Sequence, residues 1–357
     1  MPVSDAECSA ARRTPEGSPD LAPSVCQDLC AGRRPGNALP SGCRRVTIPA
    51  LIIIIKMRSY FVASVVLLHF GTATRGAPPP LAFWTFQEPT GAPRVSQGSA
   101  GPYALVDGNS SHPVARVAVA GGGPFGPYAA SFVPPSGNNS ARLFASRTSA
   151  PAITSGIGGP DATVTLLAWV SIPESVTPEG LVAGCWDEYG VEGGSTGARE
   201  YAIFLNLGKC APSNGSVYNG GLAAHISPVG GPTPGDRFCS TAACDPRVLA
   251  PAPAWHCLAN TYDGVDIRAY VNATFVNNAA RNPFPLKGGI FSPAGLPGRI
   301  GAEFGVGANR VNSTPGAPPH WSNYYHGLLG GLAVWNSSLD PSDIAAACSM
   351  ARGFDYV

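Results

Sequence analysis

Charge is scarce in this chain. Of its 357 residues only 13% are Asp, Glu, Lys or Arg, roughly half the usual share. So few ionisable groups exclude ion-pair networks and long solvent-facing helices as the basis of the fold. The formal net charge is +1. No Lys/Arg cluster marks the body of the chain, which excludes a nucleic-acid partner on electrostatic grounds. Neither a Gly-x-Ser-x-Gly nucleophile elbow nor a His-Glu-x-x-His metal helix is present. Glycine runs such as Gly121-Gly122-Gly123 do not open a helix, so phosphate binding is a poor reading of them.

Turn formers and short apolar runs are what the chain does have. Gly 44 and Pro 37 together approach a quarter of the sequence, and 44% of residues are hydrophobic. The apolar residues fall in short runs broken by Gly, Pro, Asn and Ser, the texture of an all-β protein with many turns. The segment Trp255–Gly264, continued by Ile267–Asn272, shows the pattern best. Asp263-Gly264 supplies the positive φ values of a tight turn between two strands. In the second strand Ile267, Ala269 and Val271 point one way, while Asp266, Arg268, Tyr270 and Asn272 point the other. That alternation predicts a half-buried strand. Near the end, Asp340 reads as an N-cap, Pro341 as the first helical residue and Asp343 as a first-turn carboxylate, predicting a short terminal helix.

The N-terminal region reads as secretory. Lys56-Met57-Arg58 precedes the apolar run Tyr60–Phe70, and Thr74 and Gly76 supply small residues before a cleavage point. The run is short for a membrane span. The expected organisation is therefore 1–56 as a non-native or disordered leader, 57–76 as a signal peptide and 77–357 as one domain. The competing organisation joins Ile48–Ile55 to Tyr60–Phe70 as one uncleaved anchor, with Lys56 and Arg58 costly in its middle. A membrane association is expected only in that case. Residues 77–357 hold 17 acidic and 14 basic side chains, a net charge of −3. Six cysteines remain there: Cys185, Cys210, Cys239, Cys244, Cys257 and Cys348. An even number in a secreted chain predicts disulfides, whose pairing stays open. Six glycosylation sequons start at Asn109, Asn138, Asn214, Asn272, Asn312 and Asn336, and agree with the secretory reading. Gly/Pro/Ser/Asn-rich stretches at 187–200, 209–220, 228–253 and 305–324 read as long loops, three of whose cysteines would staple them.

Several of these runs, in order, resemble the strands of LamG-like jelly-roll domains of the concanavalin A-like lectin/glucanase superfamily. The similar segments are Leu81–Phe86, Gly121–Phe132, Ala162–Val170, the Trp255–Asn272 hairpin, Arg299–Phe304 and Tyr325–Asn336. The resemblance implies a two-sheet antiparallel β-sandwich, a jelly roll closed by a short C-terminal helix. It also implies a binding or adhesion function towards carbohydrate or a matrix or surface glycoprotein. The chain departs from the family at Ala273, where a Gly is usual, which makes Asn272 a sequon. It departs again at Cys257, a strand position that adds a cross-link.

The glucanase pattern Glu-x-Asp-x-x-Glu is missing, so a glycan-cleaving enzyme is not expected. Asp187 and Glu188 would face opposite sides of any strand. Together with Glu192 they are candidate calcium ligands from a loop, as in many lectin-like jelly rolls. The alternative is a solvated acidic turn with no cofactor at all. Trp84, Trp169, Trp255 and Trp335 are predicted core, and His256 and His326 structural. The candidate ligand-binding residues are Trp186, Tyr189, Trp321, Asn323 and Tyr324, an aromatic surface beside amide and hydroxyl donors. The expected partners are glycans or extracellular glycoproteins; the rival readings are a structural glycoprotein without sugar binding and a divergent glycan-active enzyme.

Overall fold

In a computed structural model the short runs become strands. It describes residues 76–133, 141–174, 179–188, 197–205, 221–231, 241–247, 249–278, 281–294, 296, 301–311 and 320–351. The expected leader and nearly all of the expected signal peptide lie outside these residues. No helix among the described residues is long and apolar enough to cross a membrane.

The first strands are β1 (Ala82–Trp84), β2 (Arg94–Val95), β3 (Ala104–Asp107), β4 (Ala115–Gly123), β5 (Gly126–Ser131) and β6 (Leu143–Ala145). After a single helical turn, α1 (Pro151–Thr154), come β7 (Val164–Ser171), β8 (Gly180–Glu188), β9 (Ala198–Leu205), β10 (Leu222–Ile226) and β11 (Thr241–Asp245). The predicted hairpin is β12 (His256–Tyr262) and β13 (Asp266–Val271), followed by β14 (Thr274–Phe275) and β15 (Phe284–Pro285). The chain ends through β16 (Phe304–Val306), β17 (Asn309–Val311), β18 (His320–Ser322), β19 (Leu328–Trp335) and helix α2 (Pro341–Cys348).

These strands form two sheets. One runs β14-β13-β12-β7-β19-β5-β4, with β1 on β19 and β15 on β13. The other runs β11-β10-β9-β8-β16-β6-β3-β2, with the β17–β18 ribbon attached to β8. Among the described residues every pairing of two strands is antiparallel except β17 with β8, so the expected all-β antiparallel sandwich holds with a local exception.

Alternation along each strand decides which side chain goes where. On β7, Leu166, Ala168 and Val170 enter the core between the sheets, while Leu167 and Trp169 face outward. Trp84 of the first sheet stacks on Phe304 of the second at 5.7 Å. Burying each such side chain contributes roughly 1.5–3 kcal/mol. Asn260 adds a polar tie across this core, donating to the carbonyls of Ala202 (3.1 Å) and His225 (3.3 Å). The outward face of the first sheet is covered by α2. Leu339, Ile344, Ala347 and Cys348 close over Trp169, Ala259 and Tyr270, and Cys257 is disulfide-bonded to Cys348. The predicted cap is present: the Asp340 side chain accepts from the Asp343 N–H at 2.8 Å.

The loops expected at 228–253 and 305–324 contain structure that their composition hid. The first contains β11 and the second both β17 and β18, short strands whose order comes from pairing with neighbours rather than from propensity. Asp187 and Glu188 belong to strand β8 instead of a loop. Cys185 corrects the disulfide expectation. Its thiol is free and buried, donating to Ile153 O at 3.4 Å, and burial raises its pKa further.

Candidate ligand-binding site

The six tryptophans divide sharply. Trp84, Trp169, Trp186, Trp255 and Trp335 are buried; Trp321 is not. Three buried indoles are fixed by backbone carbonyls, Trp84 to Tyr103 (3.2 Å), Trp169 to Cys348 (3.3 Å) and Trp335 to Pro78 (2.8 Å). Trp186, expected near a ligand, is a packing residue in β8. It is 3% exposed and lies edge-on to Phe204 and His225 at 5.6 and 5.2 Å.

Trp321 sits on β18, opposite Arg310 of β17, and β17 in turn lies beside Asp187 and Glu188 of β8. Glycines make this placement possible. Gly307 turns the chain from β16 into β17 with φ +85°, and a Cβ there would lie 2.3 Å from the Phe132 ring. Gly180, with φ +91°, lets the backbone after β18 approach so closely that a Cβ would lie 2.3 Å from Tyr324 O. The same segment is tied down by Leu181 N–H to Asn323 O and by Tyr325 N–H to Gly307 O, each 2.8 Å. Asn323 adopts φ +50°, a conformation asparagine tolerates better than most residues. Its amide donates to Asn309 Oδ1 at 2.8 Å. A half-exposed indole is thus held on a rigid ribbon, next to the half-exposed Tyr324.

Two guanidinium groups lie close to this indole, and nothing in the local sequence signals either of them. The Arg142 guanidinium lies 4.0 Å from the ring centroid and that of Arg310 lies 5.9 Å away, both within cation–π range. Arg142, just before β6, also donates to Gly108 O. Arg310 pairs with Glu303 at 3.4 Å. Burial lowers the Arg142 pKa, Tyr324 opposes that and the Arg310 charge reinforces it. Burial raises the Tyr324 phenol against the pull of Arg142.

Asp187 lies behind the ribbon, only 3% exposed. Burial pushes its pKa from 3.8 up to about 7, opposed chiefly by the Arg310 charge. Glu200, which accepts from Ala302 N–H at 3.0 Å, is raised for the same reason. One oxygen of each carboxylate lacks a hydrogen-bond partner. Glu188, the next residue on β8, pairs instead with Arg199 at 3.3 Å and accepts from Trp186 Nε1. Asp187 and Glu188, two of the three expected calcium carboxylates, are therefore separated, because neighbours on a strand point to opposite faces. Glu192, like Tyr189, lies outside the described residues. Among the described residues, no group of three His, Cys, Asp or Glu side chains could hold a metal ion.

The remaining expected sites are spread over the molecule. Asn336 is exposed at the end of β19. Asn109 caps a turn, its Oδ1 accepting from Ser111 N–H at 3.0 Å. Asn272 and Ala273 both take positive φ, 51° and 59°, so they form the tight turn from β13 into β14 in place of the usual glycine. The Asn272 side chain reaches from this turn to β12, accepting from Cys257 N–H at 3.0 Å and lying 3.3 Å from His256 Nδ1. Burial lowers the His256 pKa, in keeping with a structural role. Cys244 is disulfide-bonded. Asn138, Asn214, Asn312, Cys210 and Cys239 lie outside the described residues.

No family model matches this chain, and no curated protein matches it. Solved structures do resemble it, at low identity. Domain 4 of AbnA, a GH43 extracellular arabinanase from Geobacillus stearothermophilus in complex with arabinotriose, is 16% identical with a TM-score of 0.44; the match covers 78% of this chain and 100% of that one. The botulinum neurotoxin serotype G binding domain is 8% identical with a TM-score of 0.44, over 75% of this chain and 50% of that one. This chain therefore spans about half the length of the neurotoxin domain. A Trypanosoma rangeli sialidase in complex with 2,3-difluoro-KDN is 12% identical with a TM-score of 0.40, over 76% of this chain and 33% of that one.

Proposed function

We propose that this chain is a secreted, glycosylated extracellular binding protein whose sandwich presents a glycan or glycoprotein site around Trp321, Asn323 and Tyr324. The observation that carries the reading is the placement of Trp321. In a molecule that buries its other five tryptophans, this one is held half-exposed on a glycine-dependent ribbon beside a second half-exposed aromatic ring. An indole face offers a sugar ring apolar area, and nearby polar groups fix its orientation. Binding rather than catalysis is favoured because the glucanase carboxylate pattern is missing and Asp187 and Glu188 do not face a common cleft.

The test is a glycan array probed with the full chain secreted from eukaryotic cells, beside its Trp321→Ala variant. The expected result is selective binding that falls at least about tenfold in the variant, while the melting temperature stays within a few degrees. A silent array would overturn the reading in favour of a structural glycoprotein.

A further inference from the structure

An edge strand presents unpaired backbone N–H and C=O groups, and soluble proteins guard them with charge, proline or a covering segment. Three edge strands here follow that rule. On β2 the Val95 N–H donates to the Glu88 carboxylate at 2.8 Å. On β14 the Thr274 carbonyl accepts from Arg247 at 2.7 Å. On β11 the Cys244 N–H donates to Arg281 O at 2.9 Å. Strand β4, the last strand of the first sheet, is guarded only where it begins. Val114 N–H donates to Asp107 Oδ1 (2.7 Å), Val114 O accepts from Arg94 (2.8 Å) and Arg116 N–H donates to Thr90 Oγ1 (2.9 Å). Since the Arg116 N–H points away from β5, the N–H and C=O of Ala118, two residues on, point to the same open edge. Ala118 and Ala120 are exposed, and the ladder to β5 holds as far as Ala118 before it breaks and resumes at Gly123.

This edge and the surface behind it carry no charge. No ionisable side chain other than Tyr128 occurs from Val117 to Ala141, and none in β1 or β19. Arg116 is turned back onto the Tyr128 ring (4.1 Å) and Gln87 O (3.2 Å). On the outward face of the sheet Val119, Phe125 and Leu328 are half-buried and apolar, with Phe125 edge-on to Phe83 at 4.8 Å. No sequon starts between Asn109 and Asn138.

We infer that β4 pairs with β4 of a second copy of this chain, antiparallel and centred on Ala118, so that the two first sheets continue into one. A two-fold axis sets each group against its own copy, so any charge at the contact would repel itself. An uncharged edge of alternating Val and Ala satisfies that condition. A partner of different sequence is selected by complementary charge or by side-chain pockets, and this edge offers neither. In an antiparallel ladder a residue opposite its own copy exchanges both backbone bonds with it, which Ala118 can do.

The test is sedimentation of the full chain expressed in eukaryotic cells. A dimer is expected at about 100 µM that dissociates on dilution towards about 1 µM, as suits a small contact. Ala118→Pro, which removes the outward N–H without touching the ladder to β5, and Ala120→Lys, which sets a charge against itself, should each leave a monomer with a melting temperature near that of the wild type. Ala118→Cys should cross-link two copies under mild oxidation, because the paired Cα atoms would lie about 5.5 Å apart. A wild type that stays monomeric at about 100 µM, or a dimer that persists in both Ala118→Pro and Ala120→Lys, would overturn the inference.

Discussion

At the scale of single residues, Asp187 shows most clearly what folding has done to ordinary chemistry. Its carboxyl is buried by the strand that carries it and by the ribbon laid against that strand. Its pKa in the folded chain, about 7, lies above the ordinary 3.8. The folded chain therefore holds an extra proton between those pH values, and stability falls as pH rises from about 4 towards 7. Above that window the ionised group costs on the order of 4 kcal/mol. Asp187→Asn keeps the shape and removes the charge. Thermal melts should show the variant stabilised at pH 8 and nearly unchanged at pH 4. An equal shift at both pH values would show that burial of charge is not the cause. Residue chemistry of this kind was only partly legible in the sequence. The core tryptophans and the helix cap could be read because alternation and capping are local. The burial of Cys185 and Trp186 could not, since it depends on what packs against β8 from elsewhere in the chain.

At the scale of elements, helix α2 and the β17–β18 ribbon make opposite cases. The helix was legible because Asp340, Pro341 and Asp343 signal a helix start within four residues. What the sequence left open was its anchor. The Cys257–Cys348 bond, between residues 91 positions apart, ties it to β12, and Trp169 Nε1 donates to the carbonyl of Cys348. Cys348→Ser should destabilise the domain by about 2–5 kcal/mol, measured as a lower midpoint in denaturant. Reducing agent should lower the wild type towards the variant. A variant as stable as the wild type would mean that packing alone holds the helix. The ribbon was read as a loop because its three-residue strands are too short to show a period. Long-range contacts create it, including the parallel register with β8 and the close approach to Gly180. The arginine pair was missed for the same reason: nothing in the sequence around Arg142 points towards Trp321.

At the scale of the whole molecule, five of the six tryptophans are buried and Trp321 is left half-exposed. The sandwich was legible from composition and alternation, because both reflect which faces are buried. The proposed ligand surface was legible only as a cluster of aromatics around 321–325, without the arginines that lie beside it. The central claim is that Trp321 is the accessible indole and that ligand covers it. Acrylamide quenching of tryptophan emission tests this directly on the full chain expressed in eukaryotic cells. One quenchable class of emission is predicted, lost in Trp321→Phe and shielded when a glycan selected from the array is added. Quenching that persists in Trp321→Phe, or that is unaffected by a bound glycan, would contradict the account.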